Sequence, residues 1–171
     1  MPKICLYKNV MHDIGVDPLP VLEVIAHHLA YINRYNGAVG TYSVAQHCVL
    51  CSWVADSEFA LSALLHDAPE AVYGDISSPV KHTINSASLG ELEDFYHDQL
   101  DAKYGVETRC PEVKDIDLRM LLTEAKSFGM PLEHFPSVQP YPVRITPWTP
   151  EYAKQAFIDR YYRLLDARDA L

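Results

Sequence analysis

DSEFALSALLHDAPEAVYG, residues 56–74, is the stretch on which the fold turns. Apolar residues recur in it at three- and four-residue steps, the period of a helix packed on one face. It predicts a helix from about Asp56 to Tyr73 that stops near Gly74. Asp67 falls on the same helical face as Ala60, Ala63 and Leu64. A carboxylate in such a place is costly unless it is paired or bound to a metal.

Working outward, the helical period continues. Leu22, Ile25, Leu29 and Ile32 follow a Pro18/Pro20 start, and Ser43 opens a helix carrying Val44, Leu50, Cys51 and Val54. Ser88 and Glu91 form a capping-box pattern before Leu92, Tyr96 and Leu100, with Gly105 as the stop. Pro111 starts a helix that ends at Gly129, and Thr149-Pro150 opens a last one with Ala153, Phe157, Tyr161 and Leu164 on one stripe. The Pro-rich, aperiodic segment 130–148 reads as an ordered surface loop, and nothing reads as a strand pair. The expectation is an all-α fold, a single domain over 1–171 with five to seven helices and a C-terminal helix over 149–170.

With 171 residues, 49% hydrophobic and 22% charged, the chain can close its own core and does not resemble a disordered one. No apolar run reaches the ~18 residues of a membrane span and the start lacks a signal-peptide core, so no membrane partner and a cytoplasmic location, in a bacterium or a phage-infected host, are expected. The net charge is -9 and no Lys/Arg cluster appears, which argues against a nucleic-acid polymer as partner. A small phosphorylated ligand stays compatible, since a bound metal supplies positive charge locally. Cys48 and Cys51 form a C-x-x-C without a second ligand pair, and read as small apolar residues with free thiols.

Asp67 is not alone. His47 shares a face with Val44, Leu50, Cys51 and Val54, and Asp117 lies with Val113, Met120 and Leu121. His66 and Asp67, adjacent on a helix, diverge by about 100° and can grip one ion from two sides. Two imidazoles and two carboxylates suit Zn, Mn, Fe, Co or Ni and discriminate poorly among them. His12, His27, His28, His82, His97 and His134 lack such a context and read as structural or surface residues.

Four ordered blocks, YSVAQH (Tyr42 to His47), HDAPE (His66 to Glu70), GDISSPVK (Gly74 to Lys81) and KDIDLR (Lys114 to Arg119), together resemble the HD-domain phosphohydrolase superfamily. Within it the chain is most similar to small bacterial and phage nucleotide hydrolases of the 5'-deoxynucleotidase and dATP triphosphohydrolase types, over about residues 20–128. The resemblance implies His47, His66, Asp67 and Asp117 as metal ligands, with Asp115 the neighbouring rival of Asp117. It implies Glu70 and Asp75 as the groups that manage the proton. Ser77, Ser78 and Pro79 match a substrate-contacting loop, and Lys81 is placed to neutralise a phosphate. Arg34 and Tyr35, in NRYNG, stand where relatives carry an Arg-aromatic pair that holds phosphate and packs on base or sugar.

The implied activity is metal-dependent removal of phosphate, pyrophosphate or triphosphate from a deoxynucleotide, dATP or dAMP before others, with Mg or Mn accompanying the substrate. The implied assembly is a homo-oligomer. The rivals are hydrolysis of a signalling nucleotide, such as a cyclic dinucleotide or guanosine polyphosphate, and a non-catalytic nucleotide-binding HD domain.

Overall fold

The computed structural model describes residues 3–84 and 87–170; the extreme ends of the expected 1–171 domain lie outside them. The fold is predominantly helical, as expected. The chain starts with a short antiparallel hairpin, β1 (Lys3–Leu6) and β2 (Val10–Asp13), pairing Lys3 with Asp13 and Leu6 with Val10. Helices follow in the order α1 (Leu22–Tyr31), α2 (Val44–Val54), α3 (Ala60–Leu65), α4 (Glu70–Tyr73), α5 (Ser78–Ile84), α6 (Ala87–Tyr104), α7 (Pro111–Ser127) and α8 (Pro150–Asp169). None among the described residues is long and apolar enough to cross a membrane.

Helix α2 is the axis of the molecule. It contacts α1, α3, α7 and α8, and Val44 through Val49, Cys51 and Ser52 are all buried. Its start is fixed by Ser43, whose side chain accepts the Gln46 N–H at 3.2 Å, satisfying one of the donors a helix start leaves open. Around it Ile25 and Leu29 of α1, Leu64 and Leu65 of α3, Tyr96 and Leu100 of α6 and Phe157 of α8 form the main core. Each such side chain contributes about 1.5–3 kcal/mol by leaving water. Thr149 caps α8 through the Tyr152 N–H, as its Thr-Pro pair foretells.

The structure corrects four expectations. The helix expected over 56–73 is broken: His66–Pro69 leaves the α-helical track, and Ala68, Glu70, Ala71 and Val72 donate to carbonyls three residues back. Pro69 has no N–H to give and disfavours helical geometry at Ala68, so the chain tightens there. Ser78–Lys81 is helical rather than loop; Val80 and Lys81 N–H groups both donate to Ser77 O, and the true loop is only Gly74–Ser77. Ser88 and Glu91 do not form a cap, because α6 already runs from Ala87. Lastly there is a strand pair, whose turn places Lys8 and Asn9 at φ of 65° and 59°. Without the glycine that such turns favour, the hairpin leaves little trace in the sequence.

The Pro-rich segment, which carries one short 3₁₀ turn at Leu132–His134, is held by side chains of the helices beneath it. Tyr141 N–H donates to Thr123 Oγ1 and Ile145 N–H to Ser127 Oγ. Gln46 of α2 spans the loop's end, donating to Thr146 O and accepting from Trp148 N–H, each at 2.8 Å.

Candidate metal centre

Four donor atoms from three places in the chain meet at one point. His47 Nε2 lies 3.3 Å from His66 Nε2, 3.1 Å from Asp117 Oδ1 and 3.7 Å from Asp67 Oδ2. His66 Nε2 lies 3.3 Å from Asp67 Oδ2 and 3.8 Å from Asp117 Oδ1. Metal–ligand bonds of about 2.0–2.2 Å place donors roughly 3 Å apart when adjacent and about 4 Å apart when opposite, so these five distances fit a single ion. The break after Leu65 serves this geometry: it turns His66 and Asp67 toward α2 and α7 together.

Each imidazole is oriented through its second nitrogen. His66 Nδ1 donates to Ala63 O at 2.8 Å, and His47 Nδ1 donates to Glu124 Oε1 at 2.5 Å. Both rings therefore aim Nε2 at the shared centre, the arrangement by which outer partners fix metal-binding histidines. Asp115, by contrast, is exposed and pairs with Arg119 at 3.7 Å, away from the histidines.

Glu124 is the residue the sequence analysis missed. It is fully buried on α7 and takes four donors: His47 and Tyr42 (2.8 Å) on Oε1, Tyr35 (2.5 Å) and Arg34 Nε (3.2 Å) on Oε2. Burial opposes its ionisation, but the Arg34 guanidinium and His47 outweigh that and hold it down at about 2. Arg34 and Tyr35 thus brace the centre from beneath; Arg34 Nη1 also approaches Asp67 Oδ2 at 3.7 Å. The chain bends sharply to deliver them, with Tyr35 and Asn36 at φ of 57° and 52° before Gly37 at 78°. Non-glycine residues resist that region at a cost of about 1–2 kcal/mol each, which the buried hydrogen bonds to Glu124 offset.

A Glu124→Gln substitution tests the brace. Only one end of an amide accepts, so whichever way it lies, Arg34 Nε–H or His47 Nδ1–H meets an NH₂ group. Divalent-metal affinity should fall about 10–100-fold, the usual loss when an outer partner is removed. Competition with a chromophoric chelator reads this directly, and an unchanged dissociation constant would remove Glu124 from the centre.

Cys48 and Cys51 are buried free thiols. They also sit beside the histidines: Cys51 Sγ is 3.5 Å from His47 Nε2, and Cys48 groups with His66 and Asp67. Burial pushes both thiols up, which favours the protonated form in the absence of an ion, while a bound metal would draw on them as further donors beside imidazole and carboxylate.

Beside His66 and Asp67 opens a cavity of about 220 Å³, lined also by Glu70, Tyr73, Lys81, Glu93, Asp94, His97 and Arg109. Glu70 is 8% exposed and its Oε2 has no hydrogen-bond partner among the described residues. Burial, then Asp67 and Asp75, raise its pKa well above the usual carboxylate range. Burial likewise raises Asp75, against the pull of Arg34. Lys81 reaches the cavity but is paired with Glu93 at 2.6 Å. Ser78 and Pro79 are exposed on the outer turn of α5, Ser77 is half-buried before it, and none of the three lines the cavity.

No protein-family model matches the chain. It is 34% identical over 157 residues to the uncharacterized protein YfdR of Escherichia coli strain K12, a match that covers 86% of each chain. The chain belongs to the YfdR family. An uncharacterized protein of Rhodobacter capsulatus is 36% identical over 109 residues, 56% of this chain and 55% of that one. Buried His, Cys and Asp groups able to hold a metal ion are thus a property of a member of the YfdR family.

Proposed function

We propose that the chain is a metal-dependent phosphohydrolase of the HD-domain type that acts on a small deoxynucleotide. One observation carries this reading: His47, His66, Asp67 and Asp117 converge at ion-binding spacing, and His66 and Asp67 line a cavity that holds the buried carboxyl of Glu70, whose Oε2 has no partner among the described residues. A divalent ion there, of Zn, Mn, Fe, Co or Ni, would supply Lewis acidity to a phosphate ester and to an attacking water.

The chain's own residues do the rest. Glu70, whose pKa burial raises well above the usual carboxylate range, is placed to give a proton to a leaving oxygen. Lys81 brings a cation to the same cavity, although Glu93 already engages it. A pocket of this kind uses placement and charge, with little motion of heavy atoms.

The cavity also bears on substrate size. At about 220 Å³ it is below the ~300–1,000 Å³ of sites for drug-sized ligands, which disfavours a whole cyclic dinucleotide. Its wall carries the carboxylates of Asp67, Glu93 and Asp94 against Lys81 and Arg109, which favours a substrate with few phosphates over a guanosine polyphosphate. A purely binding role leaves the unpartnered Glu70 carboxyl without a task. Phosphate release should be measured across deoxynucleoside mono- and triphosphates with Mn, Co, Ni, Zn and Mg. Turnover of a mononucleotide with a transition metal is expected, abolished by a chelator and restored by re-adding metal. No release from any mononucleotide, with cleavage of a cyclic dinucleotide instead, would overturn the proposal.

A further inference from the structure

His97 looked like a structural histidine in the sequence, but its ring lines the cavity next to His66, Asp67 and Glu70. What lies behind the ring decides what it offers in front. His97 Nδ1 is 3.1 Å from Thr108 Oγ1, and Thr108 Oγ1 is 2.8 Å from Asp101 Oδ1. The same Asp101 oxygen takes the Thr108 backbone N–H at 3.2 Å, so it is an acceptor. A threonine hydroxyl has one proton, and here it points to Asp101. Thr108 Oγ1 can then only accept from the ring, which places the imidazole proton on Nδ1 and the lone pair on Nε2.

Thr108 is 4% exposed, which shields this relay from water. Nε2 has no partner among the described residues and is the ring's remaining polar atom. Burial, and then the charge of Arg109, lower the His97 pKa, which keeps the ring neutral.

The neighbouring wall accepts as well. Glu93 and Asp94 bring carboxylates to it, held by Lys81 at 2.6 Å and Arg109 at 2.7 Å. Such a wall repels a second phosphate and favours a neutral group that carries a proton to donate. We propose that His97 Nε2 accepts a hydrogen bond from a sugar hydroxyl of the substrate, making His97 a specificity residue and Asp101 and Thr108 its positioning residues. The inference rests on the phosphohydrolase reading for placing the phosphate at the metal ligands, with the sugar next to it.

The probes are a 2'-deoxynucleoside 5'-monophosphate and its 2',3'-dideoxy analogue, compared by kcat/KM and by binding calorimetry on the metal-loaded protein. The native chain should prefer the hydroxyl-bearing form by at least about tenfold, since a site built around a hydrogen bond rejects the analogue that lacks it. His97→Phe should bring the ratio close to one. His97→Gln, which keeps an acceptor, should restore part of it. Thr108→Val removes the group that fixes the ring's proton and should lower the ratio in the folded protein, with some loss of Tm from the two buried hydrogen bonds it deletes. Equal handling of the two probes by the native chain, or a preference that survives His97→Phe, would overturn the inference and leave the hydrolase reading standing. Calorimetric preference without phosphate release from either probe would do the reverse. Failure of both probes to bind would remove both.

Discussion

Replacing His66 or Asp67 with alanine is expected to abolish divalent-metal binding and phosphohydrolase activity together. Each change deletes one of four converging donors, and the two residues stand on the tight turn that replaces the expected helix between α3 and α4. The contribution of a bound metal to phosphate chemistry is several kcal/mol. At 1.36 kcal/mol per decade, turnover should drop by on the order of 10³ or more. Asp67→Ala carries a second consequence, since Arg34 loses the carboxylate 3.7 Å from its Nη1 while its Nε stays on Glu124. Asp67→Asn separates the effects: it preserves shape and should still lower metal content, measured by elemental analysis of purified protein. Full occupancy in the alanine variants would show that the four residues are a polar core network and not a metal centre.

Much of this centre was legible because its signal is local. His47 and Asp117 each occupy a helix beside apolar residues, and Asp67 follows directly on an apolar helix, so periodicity brings all three to notice even though the helix ends just before Asp67. Ser43 and Thr149 announced helix starts for the same reason: a cap acts within three residues. Glu124 escaped although it lies seven residues beyond Asp117 on α7, two turns along the same face. A polar side chain on an apolar face was the available clue, but its meaning comes from Arg34, Tyr35, Tyr42 and His47, which lie 77–90 positions away in sequence. His97 escaped for a related reason. Its partner Thr108 reaches it only after the chain turns at Gly105 between α6 and α7, and no periodic pattern encodes that turn's hydrogen bonds.

Arg34 and Tyr35 show how one motif can support two roles. The resemblance casts them as contacts to phosphate and to base or sugar, whereas the structure gives Arg34 Nε and the Tyr35 hydroxyl to Glu124. The side chain of Arg34 is 12% exposed. A guanidinium carries five N–H donors, so Arg34 can brace Glu124 through Nε and still turn another edge toward Asp67 and the metal centre.

Glu70→Gln is the substitution that separates chemistry from architecture, and kcat should fall by about 10²–10⁴, the range for a lost general acid or base. The amide is nearly isosteric, and Glu70 belongs to none of the close contacts among His47, His66, Asp67 and Asp117, so metal content should stay at the native level. The proton is the reason for the loss. Burial, with Asp67 and Asp75 nearby, raises its pKa well above the usual carboxylate range, and a carboxyl so tuned can release a proton to a leaving oxygen, which an amide cannot. Stability should not suffer. Glu70 Oε2 has no hydrogen-bond partner to lose among the described residues, and the amide is nearly isosteric, so Tm should hold. Steady-state kinetics with metal analysis and a melting curve on the same preparation check all three quantities. A kcat close to native would leave the buried carboxyl without a catalytic task, and a fall in metal content matching the fall in kcat would make Glu70 part of the metal centre instead.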